Sequence, residues 1–449
     1  MAVDETLSTY SSERQVASPH YDVIVVGGGA AGIGAAIGAR QANPAARIIV
    51  IESEGCLGGA ITHRGVVSFC GLFTSEPKPR QAVGGVWDEI NRRLLAIRGT
   101  PSRARQHRGI FQVVEPECLK VVLDELLLEN NIDVLLHAAV VQASREGPLA
   151  TSIEVQERRG RRKFVAAAFI DCSGDADLAY HVGASTRYGN HGSVNIGSLA
   201  TRFGGFSPDA RPTADLWKQA IVKAKDKDPS LAKLCKKNSS VLLPLPLSGD
   251  IMSFLASASY DARDAASITA AEISGRQQAQ AYLQILRTLP GHENLYLVST
   301  GPNFGTRESR HVNAKYSLTE DDFMNNSSFD DTIAIGAWGM EFHDETNEFW
   351  ESSFRYPPAG TFEIPLRCLR SRDTANLFVA GRCVDGDKYT SSAVRVMGTA
   401  LATGQATGTA AGLLVKGKLD VSEVQACLRA NGALLDAAAL PYAGPVDTT

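Results

Sequence analysis

Five consecutive residues, Arg307-Glu308-Ser309-Arg310-His311, hold the densest chemistry in the chain. Two guanidiniums so close can grip a carboxylate or an enolate-like oxygen as a fork. A structural Arg–Glu network would use the same residues, Glu308 foremost. A second pattern lies near the other end. Gly27, Gly29 and Gly32 read G-x-G-x-x-G, and the acid Glu52 follows twenty residues after Gly32. Gly27 permits a tight turn. Gly29, with no Cβ, lets a pyrophosphate approach the backbone, and Gly32 lets a helix press close to a sheet. Glu52 can accept hydrogen bonds from ribose hydroxyls. This is the chemistry of dinucleotide binding.

The elements needed to position these groups are legible around them. Val23-Ile24-Val25-Val26 is a short β-branched run suited to a buried parallel strand. Small residues then continue at helical length through Ala39, and a second apolar run, Ile48–Ile51, ends at Glu52. Strand, glycine turn, helix, strand and acid form a βαβ unit whose helix N-terminus faces the phosphates. A transmembrane reading is set aside. Residues 23–39 are uncharged, but they are only 17 and include six glycines.

Composition narrows the class. The chain has 449 residues, 44% hydrophobic and 21% charged, which suits a globular enzyme of several domains. A net charge of −4 implies no general affinity for nucleic acid or for an anionic membrane. None of the eight cysteines is spaced as CxxC, so a metal site, an iron–sulfur cluster and a redox-active CxxC are not expected. The polar N-terminus lacks an apolar signal segment, which predicts a cytoplasmic protein.

Along the chain, residues 1–19 read as a disordered tail and 98–109 as a solvated basic loop. A helix starts at Pro116 with Leu119, Val122, Leu123, Leu126 and Leu127 on one face. Strand patterns follow up to Asp171. Beyond residue 190 the texture changes. Residues 213–237 predict a lysine-rich helix, 262–289 a longer one, and VLLPLPLSGD a poor central strand. Nucleotide-domain texture returns at NLFVAGRCVDGD and at the helix carrying Gly404, Gly408 and Gly412. The expected division is 1–19 tail, 20–190 first part of the nucleotide domain, 191–365 inserted substrate domain, 366–430 second part and 431–449 tail.

With the fingerprint 23–52, VGGVWDEI, FIDCSGDADLAYHVGA, AEISGRQQAQAYLQILRTLPG, GTRESRHVNAKYSLTEDD, LFVAGRCVDGD and VRVMGTALATGQATGTAA in one order, the chain resembles the FAD-dependent oxidoreductases of the glutathione-reductase-like class. The resemblance implies an α/β fold. It has a Rossmann-type FAD-binding domain, parallel in its sheet and discontinuous in sequence, with an inserted α+β substrate domain. It implies FAD contacts at Gly27, Gly29, Ala30, Ala31, Gly32, Glu52, Ser53, Gly58, Gly59, Ala60, Thr62, Val140, Gly174 and Asp175. On the closing side it implies contacts at Gly381, Arg382, Asp385, Met397, Gly398, Thr399 and Ala400. The helix start at Met397 would aim N–H donors at the flavin N1–C2=O edge, favouring the reduced form.

The catalytic candidates are His63, Arg307 and Arg310. His63 follows the glycines expected along the flavin, where an imidazole can move protons near neutral pH. Tyr188, His191 and Trp338 are candidates for lining a substrate pocket. No second G-x-G-x-x-G follows a strand, so no separate NAD(P)H domain is expected. That points to hydride abstraction from a small organic substrate, secondary metabolites included, by a dehydrogenase or oxidase. An NAD(P)H-fed monooxygenase or reductase, and a non-catalytic flavin-binding protein, are the alternatives. The expected partner is a small-molecule substrate, without nucleic acid or membrane, and the expected state is monomer or homodimer.

Overall fold

The computed structural model describes residues 19–97, 99, 102–106, 109–343 and 354–448. The disorder expected for the N-terminal tail falls on residues 1–18, outside that set. The central sheet begins with β1 (His20–Val26), followed by helix α1 (Ala30–Ala42) and strand β2 (Ile48–Ile51). β1 pairs in parallel with β2, Val23 opposite Ile48 and Val26 opposite Ile51. On its other side it pairs in parallel with the long strand Gly160–Asp171. Asp133–Leu135 adds to β2, also in parallel. Every residue of β2, and the last four of β1, are buried, as a sheet covered on both faces requires.

Strand Gly160–Asp171 joins the two halves of the chain. Its first half continues antiparallel into Leu149–Glu157. Its last residues, Phe169–Asp171, pair in parallel with Leu377–Val379, more than 200 positions later. From there the chain runs into helix Met397–Val415, which lies directly on α1. Only small residues allow so close a crossing. A Cβ placed on Gly408 would sit 1.9 Å from the carbonyl oxygen of Ala35. The same contact brings Gly34 of α1 against Leu401.

A second, fully antiparallel sheet lies between the two halves in sequence. Its order is Leu243–Pro244, Ile251–Ala258, Gly197–Gly204, Tyr296–Thr300. Pro244 sits at the sheet edge, where a missing N–H costs nothing. Helix Ala265–Leu286, capped by the Asp264 carboxylate, packs on this sheet. Phe203, Trp217, Ile221, Leu255, Tyr282 and Leu286 form a core separate from the first.

Two expectations are corrected. The helix predicted over 213–237 is two helices, Ala214–Lys227 and Pro229–Leu234. Pro229 has no N–H to continue the first, and the Asp228 carboxylate caps the second through Ser230 N. The basic loop is in part a hairpin. Ser102–Gln106 pairs antiparallel with Gly109–Val113, and all five residues of the second strand are buried.

Among the described residues, no helix is long and apolar enough to cross a membrane.

Candidate functional site

β1 stops at Val26 because Gly27 turns with φ of +100°, a left-handed value that a side chain resists. A Cβ there would also meet the carbonyl oxygen of Cys172 at 2.3 Å. Gly29 then caps α1 without any side-chain cap, leaving the first-turn N–H groups to the space in front of them. That space is open. A Cβ on Gly29 would find only the Cα of Gly59 within contact, at 3.6 Å. Gly29 is therefore not demanded by the protein's own packing.

Glu52 is buried, and its Oε2 accepts from Gly28 N at 2.7 Å. Its Oε1 accepts from Glu54 N at 3.0 Å and from the Ser53 hydroxyl at 3.1 Å. The acid at the end of β2 thus braces the glycine turn as well as facing the cleft.

The cleft holds about 370 Å3 and runs from this turn to the second sheet. Of the residues expected at the cofactor, Gly27, Gly29, Ala30, Ala31, Glu52, Ser53, Gly59, Ala60, Val140, Gly174, Asp175, Gly381, Arg382, Met397 and Ala400 line it. Its middle is cationic. Arg382 donates to Thr306 O at 2.6 Å and pairs with Asp175 at 3.3 Å. Arg64 donates to the same Thr306 and lies 3.9 Å from Asp175. Burial, then the repulsion of Arg382, lowers the Arg64 guanidinium. A helix N-terminus, an open glycine floor and two arginines fit a pyrophosphate.

The other expected positions lie off the cleft wall. Gly32 and Gly58 act in the turns, Gly32 facing Gly27 O and Gly58 facing Thr62, whose hydroxyl donates to Leu57 O at 2.8 Å. Gly398 packs on Cys70 and Leu72, and Thr399 is buried beside Gly71. Asp385 accepts from Arg187 at 2.6 Å, from Ala314 N at 2.8 Å and from Ser317 at 3.0 Å. It fastens the connection between the two regions.

The five-residue run Arg307–His311 divides. Arg307 lines the cleft and donates to Ile196 O at 2.7 Å. Glu308 is buried behind it, accepting from Asn195 N and Nδ2, from Asn190 and from His311. Burial alone would raise its carboxyl, but His311 and Asn195 outweigh that and lower it. Arg310 is not on the cleft wall; it reaches the cleft-lining Asp177 at 3.1 Å and Asp175 O at 3.2 Å, with its guanidinium 4.3 Å over the Tyr180 ring. The expectation that Arg310 shares a wall with Arg307 is corrected: Arg307 lies before strand Arg310–Val312 and lines the cleft, whereas Arg310 opens that strand and pairs with Asp177. His63 lines the cleft, its Nε2 2.7 Å from Cys56 O. Trp338 lines it too, whereas the Tyr188 hydroxyl accepts from Ala262 N away from it.

The far part of the cleft forms a chamber, of whose side chains the sequence singled out Arg307 and Trp338. Lys237, Arg307, Glu341, His343 and Arg395 face it, with Phe111, Phe254 and Trp338 as apolar walls. Glu341 accepts from Trp338 Nε1 at 3.1 Å, lies 3.0 Å from His343 Nε2 and is 3.8 Å from Arg395. Burial and Arg307 push His343 down to about 3, so near neutral pH it is an uncharged imidazole donating to Glu341. Burial would raise Glu341, yet its partners bring it down to about 2. His343 contributes most to this lowering, followed by the charges of Arg395 and Arg307. Lys237 donates to Phe254 O at 3.2 Å. Burial and Arg307 lower its ammonium well below the usual lysine value.

No curated protein sequence matches this chain. Solved structures do. A geranylgeranyl bacteriochlorophyll reductase-like protein from Thermoplasma acidophilum is 12% identical, with 92% of this chain and 83% of that one covered, at a TM-score of 0.45. An aromatic hydroxylase from angucycline biosynthesis is 14% identical at a TM-score of 0.49, with 91% of this chain covered but only 65% of that one. The anhydrotetracycline hydroxylase of Streptomyces rimosus is 12% identical at 0.45, with 92% and 66% covered. This chain therefore spans about two thirds of either hydroxylase. The model of the FAD dependent oxidoreductase family matches residues 22–433, so the glycine turn, the cleft and the closing helix are those of an FAD-dependent oxidoreductase, and the chain belongs to that family.

Proposed function

We propose that the protein oxidises a small organic substrate by hydride abstraction, as a dehydrogenase or oxidase. The observation that carries this is the chamber itself: a half-buried lysine and arginine face one space, continuous with a cleft whose other end is the nucleotide cradle. Bound FAD supplies the two-electron acceptor. The chain's own residues supply position and proton management. Val140, Glu52 and the α1 N-terminus would hold the adenosine diphosphate half, and Gly381, Arg382, Met397 and Ala400 the half that leads to the chamber.

Removing hydrogen from a CH–OH or CH–NH group takes a hydride from carbon and a proton from the heteroatom. A double bond between them remains. Lys237 is placed to take the proton: it faces the space beside Phe254, and burial and Arg307 lower its ammonium, which favours the free amine. Trp338, Phe254 and Phe111 exclude water from the space.

The test is anaerobic mixing of purified FAD-loaded protein with small hydroxy and amino compounds, following loss of the oxidised flavin's visible absorbance. Bleaching by at least one such compound, slowed at least ten-fold in Lys237→Met, is expected. Bleaching by NAD(P)H, with no organic compound effective, would replace this reading with that of a monooxygenase or reductase.

A further inference from the structure

We propose that the chamber takes a carboxylate-bearing substrate with a small apolar body, its carboxylate held between Arg307 and Arg395. The proposal rests on the oxidative reading above and adds the substrate's chemical class.

Charge is the first support. Arg307 and Arg395 are cations, Glu341 is the one carboxylate facing the chamber among the described residues, and His343 is neutral. The balance of these described residues is positive whichever form Lys237 takes. The carboxylate of Glu341 is already committed to Trp338, His343 and Arg395. It cannot also neutralise Arg307 and Lys237. A positive charge left inside a low-dielectric space is costly, and an incoming anion relieves that cost.

An unmet hydrogen bond is the second support. Arg395 lines the chamber, and its Nε is buried without a partner among the described residues. Buried donors are nearly always satisfied, so an orphan in a cleft marks where a ligand atom belongs. Arg395 is otherwise fixed by Glu341, through its backbone oxygen at 3.2 Å. It is thus held in place before any ligand arrives. Arg307 is held likewise by Ile196 O, and its own N–H is held by the Tyr260 hydroxyl at 2.9 Å. Two pre-oriented guanidiniums lose little entropy on gripping a carboxylate.

The walls set the rest of the molecule. Trp338 stands edge-on to Phe111, with ring centroids 5.5 Å apart. With Phe254 and Val241 these rings leave an apolar space beside the cations. An anion with a planar or branched hydrocarbon body fits both surfaces, whereas a polyhydroxylated one would leave its hydroxyls unpaired.

The probe is benzoate, with benzamide as its neutral isostere. Each is titrated into the FAD-loaded protein and followed by the flavin difference spectrum and by calorimetry. Saturable benzoate binding is expected, at least ten-fold tighter than benzamide. Arg395→Met should weaken benzoate at least ten-fold and leave benzamide unchanged, while Arg395→Lys should recover part of the loss. Equal binding of the two probes by the unmutated protein would overturn the clamp, and that comparison does not depend on any variant folding. The two proposals fail separately. A neutral substrate that bleaches the flavin without competition from benzoate overturns the clamp and leaves hydride abstraction standing. Selective benzoate binding, with no organic compound able to bleach the flavin, supports the clamp and removes hydride abstraction.

Discussion

The nucleotide cradle and the chamber lie at opposite ends of one cleft and are built on different principles. The cradle is backbone. Its shape comes from Gly27, Gly29, Gly59 and the start of α1, and side chains contribute mainly by being absent. The chamber is side chain. Lys237, Arg307, Glu341, His343 and Arg395 arrive from four separate segments and are held by hydrogen bonds to one another or to nearby carbonyls. A backbone site tolerates almost no added atom but needs little chemistry. A side-chain site tolerates reshaping but depends on each charge having its neighbours. Substitutions at the two ends should therefore fail in different ways.

The largest effect is expected where the backbone principle supports the whole fold. Gly408→Val places atoms against the Ala35 carbonyl, to which even a Cβ would come within 1.9 Å. Neither helix can retreat, since both are pinned to the sheet. A loss of at least about 3 kcal/mol is expected, seen as a much lower Tm or as insoluble protein. A native Tm would mean that the crossing of α1 and Met397–Val415 is looser than it stands here.

Glu308→Ala follows. Glu308 is 3% exposed, and it gathers donors from Asn190, Asn195 and His311. Deleting it leaves those donors buried and unmet, at a cost of about 3 kcal/mol. The pH dependence has a definite sign. Because the folded state lowers this carboxyl, its stabilisation is complete above the ordinary value of about 4.3. It is lost as pH falls through the lowered folded value. The gap in Tm between the two proteins should thus narrow in acid, and a gap that widens there would contradict the assignment.

Gly29→Val makes the sharpest contrast with Gly408→Val. The protein itself leaves room at Gly29, so the variant should fold with a Tm near that of the unmutated apoprotein. Its FAD affinity should fall about 100-fold, or about 3 kcal/mol. Fluorescence titration of the apoprotein measures both sides of the claim. Retained affinity would move the pyrophosphate off Gly29.

This division also explains what the sequence disclosed. A cradle made by neighbours along the chain leaves a spacing, so Gly27, Gly29 and Glu52 were readable, and the parallel order of the sheet with them. The closing strand Leu377–Val379 was readable from its texture of apolar run and glycine turn. The chamber leaves no spacing. Lys237 ends a surface-like lysine-rich stretch, and Arg395 sits in a helix region that reads as packing. Arg307 and Trp338 stood out in the sequence, but Glu341 and His343, two apart, did not, because Glu-x-His alone says little. Asp385 shows the reverse case. Its place after the glycine turn suggested the cofactor, but Arg187, over 190 positions away, claims it. Long-range ion pairs are set by tertiary packing, which no local pattern encodes.

The smallest effect is expected at Arg310, and it tests whether neighbours in sequence share a role. Arg307 and Arg310 look alike in the sequence, yet only Arg307 faces the chamber. The Arg310 pair with Asp177 has a partner 46% exposed, where solvent screens the attraction. Arg310→Ala should therefore cost no more than about 1 kcal/mol. Substrate-dependent flavin reduction should change less than two-fold, while Arg307→Lys at the neighbouring position lowers it markedly because the fork geometry is lost. Although half-exposed, the Asp177 carboxyl is raised to about 6 by partial loss of its water, with Asp175 and Asp171 adding to the rise. Removing the guanidinium takes away a group that opposes this rise, so the carboxyl should climb further in the variant. A loss of flavin reduction in Arg310→Ala as large as in Arg307→Lys would bring Arg310 back to the site and make the chamber reach beyond the face described for it.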